Sequence, residues 1–317
     1  MEIQTNETDK PAIKRALVIR GGGAKGAWAG GFLQNRIETQ GYDWDMYFGT
    51  STGSLLITLT SIQEMDRLKE AYTSVNNDSI FSVNPFTKSG SIHIANAIWR
   101  IIRGKASLGE SGNLEKLIRK MFTFHDFTLA GWLGKKLYPC VTDYTHDRAE
   151  YCSNMSVDYD TYVKYTLAST SVPIAMNFID INKCQYLDGG VVMHVPIQKA
   201  IDEGADEIDI IILRPELPDE TPWVGKGLLD TVLKTLDVMS SQISKSNVIT
   251  GQLMAQDKNV KLRFRYVPFK LTDNSLMFDK TQMIKWWNDG YEYANIDDTS
   301  KKILLLANAP EQFKKLN

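Results

Sequence analysis

Cysteine and histidine are scarce in this 317-residue chain, which holds three of the first and four of the second. Cys140, Cys152 and Cys184 are an odd set with no CxxC spacing and no neighbouring pair of histidines. That pattern argues against a disulfide framework and against a zinc site. Small core-packing thiols in a reducing compartment are expected instead, with no metal. Long apolar runs are missing as well: nothing approaches the roughly 18 residues needed to span a bilayer. The first fifteen residues are polar and mixed in charge, without the apolar stretch of a secretory signal, so a cytoplasmic protein is expected, one that meets a membrane only peripherally. Charge of one sign is not in excess either. Lys and Arg number 36 against 38 Asp and Glu, a net charge of −2, which gives no field to draw nucleic acid.

What is present suits a large core, since 43% of the residues are hydrophobic and 23% charged. Residues 15–20 (RALVIR) are a short apolar run that stops at three glycines, and 24–38 then reads as a helix. A second unit of the same kind follows, with a strand at 44–48, a turn at 49–53 and a helix at 54–63. Residues 64–136 look helical and irregular, with no dependable strand. Strand character returns at 136–141 and 149–152, then a helix at 159–169, a helix at 196–203 and a buried-looking strand at 207–213. A long helix over 227–252, a strand over 260–269 and a helix over 279–293 complete the pattern. Without repeats or a clear linker, the expectation is a polar segment at 1–15 and one elaborated α/β domain at 16–317. Its core motifs occupy 16–196, with a helical insertion at about 64–136 and a C-terminal elaboration at 205–317.

Three stretches carry chemistry. Gly49-Thr50-Ser51-Thr52-Gly53 has the G-x-S-x-G form, in which a tight strand-to-helix turn presents a serine hydroxyl and small flanks permit the sharp bend. A chain this long shows one by chance roughly one time in ten, so its place after an apolar strand and before a helix is what gives it weight. The helix N-terminus adds amide donors and positive potential beside the serine. Gly21-Gly22-Gly23-Ala24-Lys25-Gly26 lies at the other strand-to-helix junction, where converging amides suit a phosphate or the oxyanion of a tetrahedral intermediate. It lacks the GxxxxGK[ST] form and meets the dinucleotide spacing only loosely, although Asp43 and Asp45 stand about 20 residues on. Asp188-Gly189-Gly190 places a carboxylate on a glycine turn, where it either accepts the serine proton or merely caps the turn.

The base decides the hydrolase class. An α/β-hydrolase triad needs an acid and then a histidine after the serine. Of His93, His125, His146 and His194, only His194 follows Asp188, and it would crowd acid and base onto one short loop. The elbow also follows only the second recognisable strand. A Ser51–Asp188 pairing is preferred.

These residues together resemble the patatin-like phospholipase family. Gly21 to Gly26 match its oxyanion loop, Gly49 to Gly53 its nucleophile elbow, Asp188-Gly189-Gly190 its catalytic aspartate, and Ala168-Ser169-Thr170-Ser171-Val172-Pro173 its A-S-x-x-x-P segment. The helix at 278–291 is similar to the family's C-terminal part more loosely. The resemblance implies a three-layer α/β/α fold with a mostly parallel central sheet, related to that of malonyl-carrier-protein transacylases. It further implies a serine acyl hydrolase of phospholipase A or lysophospholipase type that needs no cofactor. Ser51 would be the nucleophile and Asp188 the general base, with Gly22, Gly23 and Ala24 as the oxyanion hole. The substrate implied is a phospholipid or another acyl ester. Two residues depart from the pattern: Lys25 stands where relatives usually have Arg, which loses the planar fork, and His194 stands where they commonly have Asn. An acyltransferase on the same fold and a catalytically idle lipid-binding or regulatory protein remain as alternatives. Residues 92–103 (IHIANAIWRIIR) set Ile94, Ala97, Ile98, Ile101 and Ile102 near one helical face, for core packing or for a membrane. Trp286-Trp287 poses the same choice.

Overall fold

In β1 (Arg15–Ile19) the side chains of Leu17 and Ile19 enter one hydrophobic core and those of Ala16 and Val18 another, and all four are fully buried. Four consecutive apolar residues, Ala16 to Ile19, are what a strand covered on both faces requires. The computed structural model describes residues 12–87, 92–217, 224, 228–272 and 274–296. Residues 1–11 of the polar N-terminal segment and 297–317 of the C-terminal elaboration therefore lie outside the described residues.

The other strands are β2 (Met46–Thr50), β3 (Lys136–Asp143), β4 (Arg148–Tyr151), β5 (Ile179–Ile181), β6 (Cys184–Asp188), β7 (Glu207–Ile212) and β8 (Lys261–Tyr266). They form one eight-stranded sheet in the order β5-β6-β3-β2-β1-β7-β8, with β4 paired to β3. From β3 to β8 along that path every pairing is parallel, while β4, β5 and β6 pair antiparallel. The helices are α1 (Gly26–Gln40), α2 (Thr52–Thr60), α3 (Met65–Thr73), α4 (Asn77–Ile80), α5 (Ile94–Ile102), α6 (Gly112–Met121), α7 (Phe124–Trp132), α8 (Tyr159–Thr170), α9 (Ile197–Asp202), α10 (Leu228–Asp257) and α11 (Lys280–Ala294). One sheet face packs Leu17, Ile19, Tyr47 and Ile211 against Trp28, Leu56, Leu68 and Trp287 of α1, α2, α3 and α11. The other packs Val18, Phe48, Ile208 and Ile210 against α9 and Ala255 of α10. The fold is a three-layer α/β/α sandwich with a mostly parallel sheet.

Trp286 and Trp287 are both buried, which settles them as core. Their helix meets α1 at near-contact: a Cβ at Gly31 would lie 1.8 Å from the Trp287 carbonyl oxygen, and one at Gly290 2.0 Å from that of Trp28. Trp287 Nε1 completes the contact by donating to Gln34 Oε1 at 2.7 Å.

Sequence and structure differ in two places that matter for the site. β2 runs two residues later than expected, because Gly49 and Thr50 continue its register against Pro139 and Cys140. The turn at 49–53 thus contracts to Ser51 alone. The β5–β6 hairpin went unread: its loop is only Asn182-Lys183, both at positive φ (50° and 68°), a primed two-residue turn that Asn-Gly would have announced and Asn-Lys does not. Residues 64–136 do supply α3 to α7 and, among the described residues, only isolated bridges.

Candidate functional site

Ser51 stands between the last residue of β2 and the first of α2, with φ 56° and ψ −126°. A serine held at positive φ costs on the order of 1–3 kcal/mol, so the surroundings must impose it. They do so through small flanks and hydrogen bonds. A Cβ at Gly53 would lie 2.3 Å from the Ile19 carbonyl oxygen, and one at Gly49 2.3 Å from the Gly53 backbone. The Ser51 amide donates to Ser169 Oγ at 3.0 Å, and that hydroxyl donates onward to the Cys140 carbonyl at 2.6 Å. Ser54 Oγ holds the Ser51 carbonyl at 2.6 Å.

Asp188 ends β6, and its backbone is fixed on both sides: its amide donates to the Ser171 carbonyl at 3.0 Å, and its carbonyl accepts from Thr142 Oγ1 at 2.9 Å. Its Oδ1 accepts the Gly190 amide at 2.7 Å. The Ser51 side chain lies beside the carboxylate and favours its charged form. Burial pushes the Asp188 carboxyl up to about 6, against the opposing pull of the Ser51 hydroxyl, the Gly190 amide and the Arg20 charge. Ser51 and Asp188, 137 positions apart in the sequence of the chain, are therefore brought into contact. The A-S-x-x-x-P segment explains itself here, since Ser169 accepts the Ser51 amide and the Ser171 carbonyl the Asp188 amide.

The glycine loop runs from the end of β1 beside this pair. At Gly21 a Cβ would lie 2.9 Å from Ser51 Cβ, and Gly23 takes φ 55°. Ala24 differs from expectation: its amide donates to the Ser275 carbonyl at 2.9 Å, so it is committed elsewhere. Gly22 and Gly23 are the loop amides left to face an oxyanion. Lys25 is deeply set, and burial, reinforced by the neighbouring charges of Arg20 and Arg214, brings its ammonium down to about 7. Gly26 opens α1 against Thr52 and Tyr72, whose hydroxyls are 2.7 Å apart.

His194 is buried beside the pair. A Cβ at Gly21 would lie 2.8 Å from its Cε1, and one at Gly190 3.0 Å from its Nε2. Its Nδ1 has no hydrogen-bond partner. Burial, then the charge of Arg20, holds its pKa well below the ordinary histidine value, so the ring is neutral. His93 and His125 are exposed, and His146 is bound to Asp143 at 2.6 Å. Asp143, His146 and Cys184 offer ligand atoms within 4.8 Å of one another, but Asp143 already accepts the amides of Thr145 and His146 along with the ring. The three cysteines are free, Cys140 and Cys152 buried and Cys184 half-buried.

Several residues of the site carry no motif. Arg20, buried beside Asp188, donates from Nε to Ser244 Oγ at 3.0 Å and from Nη1 to the Gly21 carbonyl at 2.7 Å. Asn247 Oδ1 accepts the amides of His194 and Val195 at 2.8 and 3.3 Å. Both partners come from α10, a helix whose sequence gave no functional signal. From Ser51 an apolar cleft of about 620 Å³ opens between α2, α3, α6 and the segment 170–176, lined by Leu55, Val75, Ile80, Leu114, Ile118 and Met176 among others. No helix among the described residues is long and apolar enough to cross a membrane.

A comparison with curated protein sequences finds no match. Among solved structures the chain is similar to "VipD from Legionella pneumophila", with 14% identity, a TM-score of 0.47, and coverage of 94% of this chain and 67% of that one. A model of the patatin-like phospholipases matches residues 17–201, well over half of the chain and the whole stretch from β1 through the glycine loop, the Ser51 elbow and Asp188. The chain thus belongs to the patatin-like phospholipase family.

Proposed function

We propose that the protein hydrolyses acyl esters of phospholipids or lysophospholipids through a Ser51–Asp188 dyad. One observation carries this: a serine on a strained elbow stands beside a buried carboxylate and lines an apolar cleft. Ser51 Oγ attacks the ester carbonyl carbon while its proton passes to Asp188. The amides of Gly22 and Gly23 receive the oxyanion, an interaction whose loss typically costs about 100- to 1,000-fold in turnover. Collapse breaks the ester C–O bond, and the departing alkoxide takes the proton from Asp188. Water then gives its proton to Asp188, attacks the acyl-enzyme, and releases the fatty acid as Ser51 recovers a proton. A free aspartate is a weak base for a serine, and its elevation to about 6 by burial narrows that mismatch. The same reading makes 16–317 one hydrolase unit in the cytoplasm, without a cofactor.

The test is labelling by a fluorophosphonate probe together with release of free fatty acid from phosphatidylcholine and lysophosphatidylcholine. Wild-type protein labels and releases, whereas Ser51→Ala does neither while keeping its thermal unfolding temperature. No label on folded wild-type protein overturns the hydrolase reading, and acyl transfer to a thiol acceptor without free acid supports a transferase. His194, packed against Gly21 and Gly190, favours a second reading in which a histidine is the base. Normal turnover by Asp188→Ala with a dead His194→Ala would establish it.

A further inference from the structure

α5 is built inside out. Amphipathic helices of a folded protein turn their apolar stripe to the core and their charges to water. Here Ile94, Ile98, Ile101 and Ile102 are 53–80% exposed and Trp99 49%, whereas Arg100 is 3% exposed. The inversion is fixed by hydrogen bonds. Arg100 Nε donates to the Ser107 carbonyl at 2.7 Å, and Nη1 and Nη2 both reach Glu110 Oε1 at 3.1 Å. With its only buried charge latched below, the helix cannot roll its isoleucines inward without breaking that ion pair and taking Arg100 from its partners. The apolar face is therefore held towards solvent, in a patch of the kind that marks an interaction surface.

The occupant is indicated by charge and by position. Residues 92–109 contain no Asp or Glu; the exposed charges are Arg103, whose guanidinium lies 4.5 Å from the Trp99 ring centroid, and Lys105. Exposed isoleucines with an aromatic and flanking cations, unopposed by acids, fit the interfacial zone of an anionic bilayer. The strap that follows is tied to the cleft. Leu108 N–H donates to the Ile174 carbonyl at 2.7 Å, and Ser107 Oγ bonds to Asn177, bracketing Met176, which lines the cleft above Ser51. A membrane lying on α5 is thus one strap away from the cleft's rim.

We propose that α5 docks the protein on an anionic lipid surface, Ile94, Ile98, Ile101 and Ile102 entering the headgroup boundary and Arg103 and Lys105 meeting the lipid charge. The purpose rests on the lipid-hydrolase reading, but the binding itself does not. The experiment is co-sedimentation of the full chain, as wild type and as Ser51→Ala, with vesicles of phosphatidylcholine and of equal parts phosphatidylcholine and phosphatidylglycerol. Both proteins are expected to bind the anionic vesicles more tightly. Ile101→Glu/Ile102→Glu should lose about tenfold or more on either vesicle. Arg103→Ala/Lys105→Ala should lose about fivefold per residue on the anionic vesicle only. Both variants should keep wild-type thermal unfolding and wild-type turnover of a monomeric short-chain ester. Wild-type protein that sediments with neither vesicle, or a glutamate variant that binds as wild type does, overturns the proposal. So does a wild-type dimer that ignores vesicles and is dissociated by Ile101→Glu/Ile102→Glu, which would assign the face to a second copy. Vesicle binding without fluorophosphonate labelling would leave α5 docking standing and the hydrolase reading fallen.

Discussion

Asp188→Asn should abolish turnover and at the same time change how stability depends on pH, and both effects come from one ionisation. The carboxyl rises from an ordinary 3.8 to about 6 because burial disfavours its charged form. At about 1.4 kcal/mol per tenfold, that rise corresponds to about 3 kcal/mol between the two protonation states. Native protein therefore holds this proton more tightly than the unfolded chain does. Between about pH 4 and pH 6 the native state binds more protons than the unfolded one, so this group's contribution to stability falls as pH rises and is fully lost above about 6. Asparagine cannot ionise, yet its side-chain oxygen can still accept the Gly190 amide.

Urea unfolding of both proteins across pH 4 to 7 measures the effect. The difference between wild type and Asp188→Asn should move by about 3 kcal/mol in the variant's favour over that interval and then level off. Over the same interval kcat/KM of wild-type protein on a soluble ester should climb along a single acid limb with its midpoint near 6, because the base must be deprotonated. A stability difference flat in pH, or one that moves in favour of wild type, would refute the argument from burial. An acid limb near 4 would show that Asp188 is solvated in solution, and a stability change without any acid limb would separate this carboxylate from the chemistry.

Ser169→Ala should orphan the buried Ser51 amide and Cys140 carbonyl together, costing about 1–3 kcal/mol per group; steady-state kinetics should show kcat falling with KM little changed, since the elbow and not the cleft is loosened. Gly53→Ala drives a methyl into the Ile19 carbonyl and should cost about 3 kcal/mol in a denaturant titration. Burial pushes the Cys140 and Cys152 thiols up to about 12, so a thiol reagent should modify one group per native chain, Cys184, and Cys184→Ser should abolish that reaction. His194→Ala should retain fluorophosphonate labelling of Ser51, with destabilisation of about 2 kcal/mol from the cavity left behind Gly21 and Gly190.

The parts of this site that could be read in advance are those where backbone geometry admits few residue types. Gly49 and Gly53 are legible because a side chain there would strike backbone, and the run Gly21 to Gly23 because one would strike Ser51, Leu213 or the Ser275 carbonyl; in each case glycine is the residue type that fits. The strands β1 and β7 are legible for a related reason, since burial on both faces leaves the apolar runs Ala16 to Ile19 and Ile210 to Ile212. Contacts made across long separations left no such trace. Ser169 and Ser171 are marked in the sequence only by the A-S-x-x-x-P resemblance; what they bond to is visible only once β6 lies beside β3, and the hairpin that places it turns on Asn182-Lys183, a weak signal. The rule that apolar stripes face inward does not decide the face of α5. Its periodicity is correct, but Arg100 bonds to Ser107 and Glu110, beyond the helix itself, and those partners decide which face is inside.

The match to the family ends at residue 201, but the electrostatics of the dyad do not. Asp188 is raised by burial and restrained by the charge of Arg20, so the position of that guanidinium helps set the strength of the base. Arg20 is itself costly to keep ionised, brought down to about 9 by burial and by Arg214, and it is held by the Gly21 carbonyl and by Ser244 of α10. Asn247, one turn further along α10, fixes the backbone of His194 and Val195 behind the Asp188 loop. On the other side Ser275 takes the Ala24 amide, while Leu276 and Phe278 help wall the cleft. The segment after 201 therefore holds the Arg20 guanidinium beside Asp188 and forms part of the cleft wall next to Ser51. Substitutions there should act on the acid limb and on acyl preference while leaving the labelling of Ser51 intact. Relatives that share residues 17–201 in pattern can thus differ in pH response and substrate through the last third or so of the chain, where the motifs are silent.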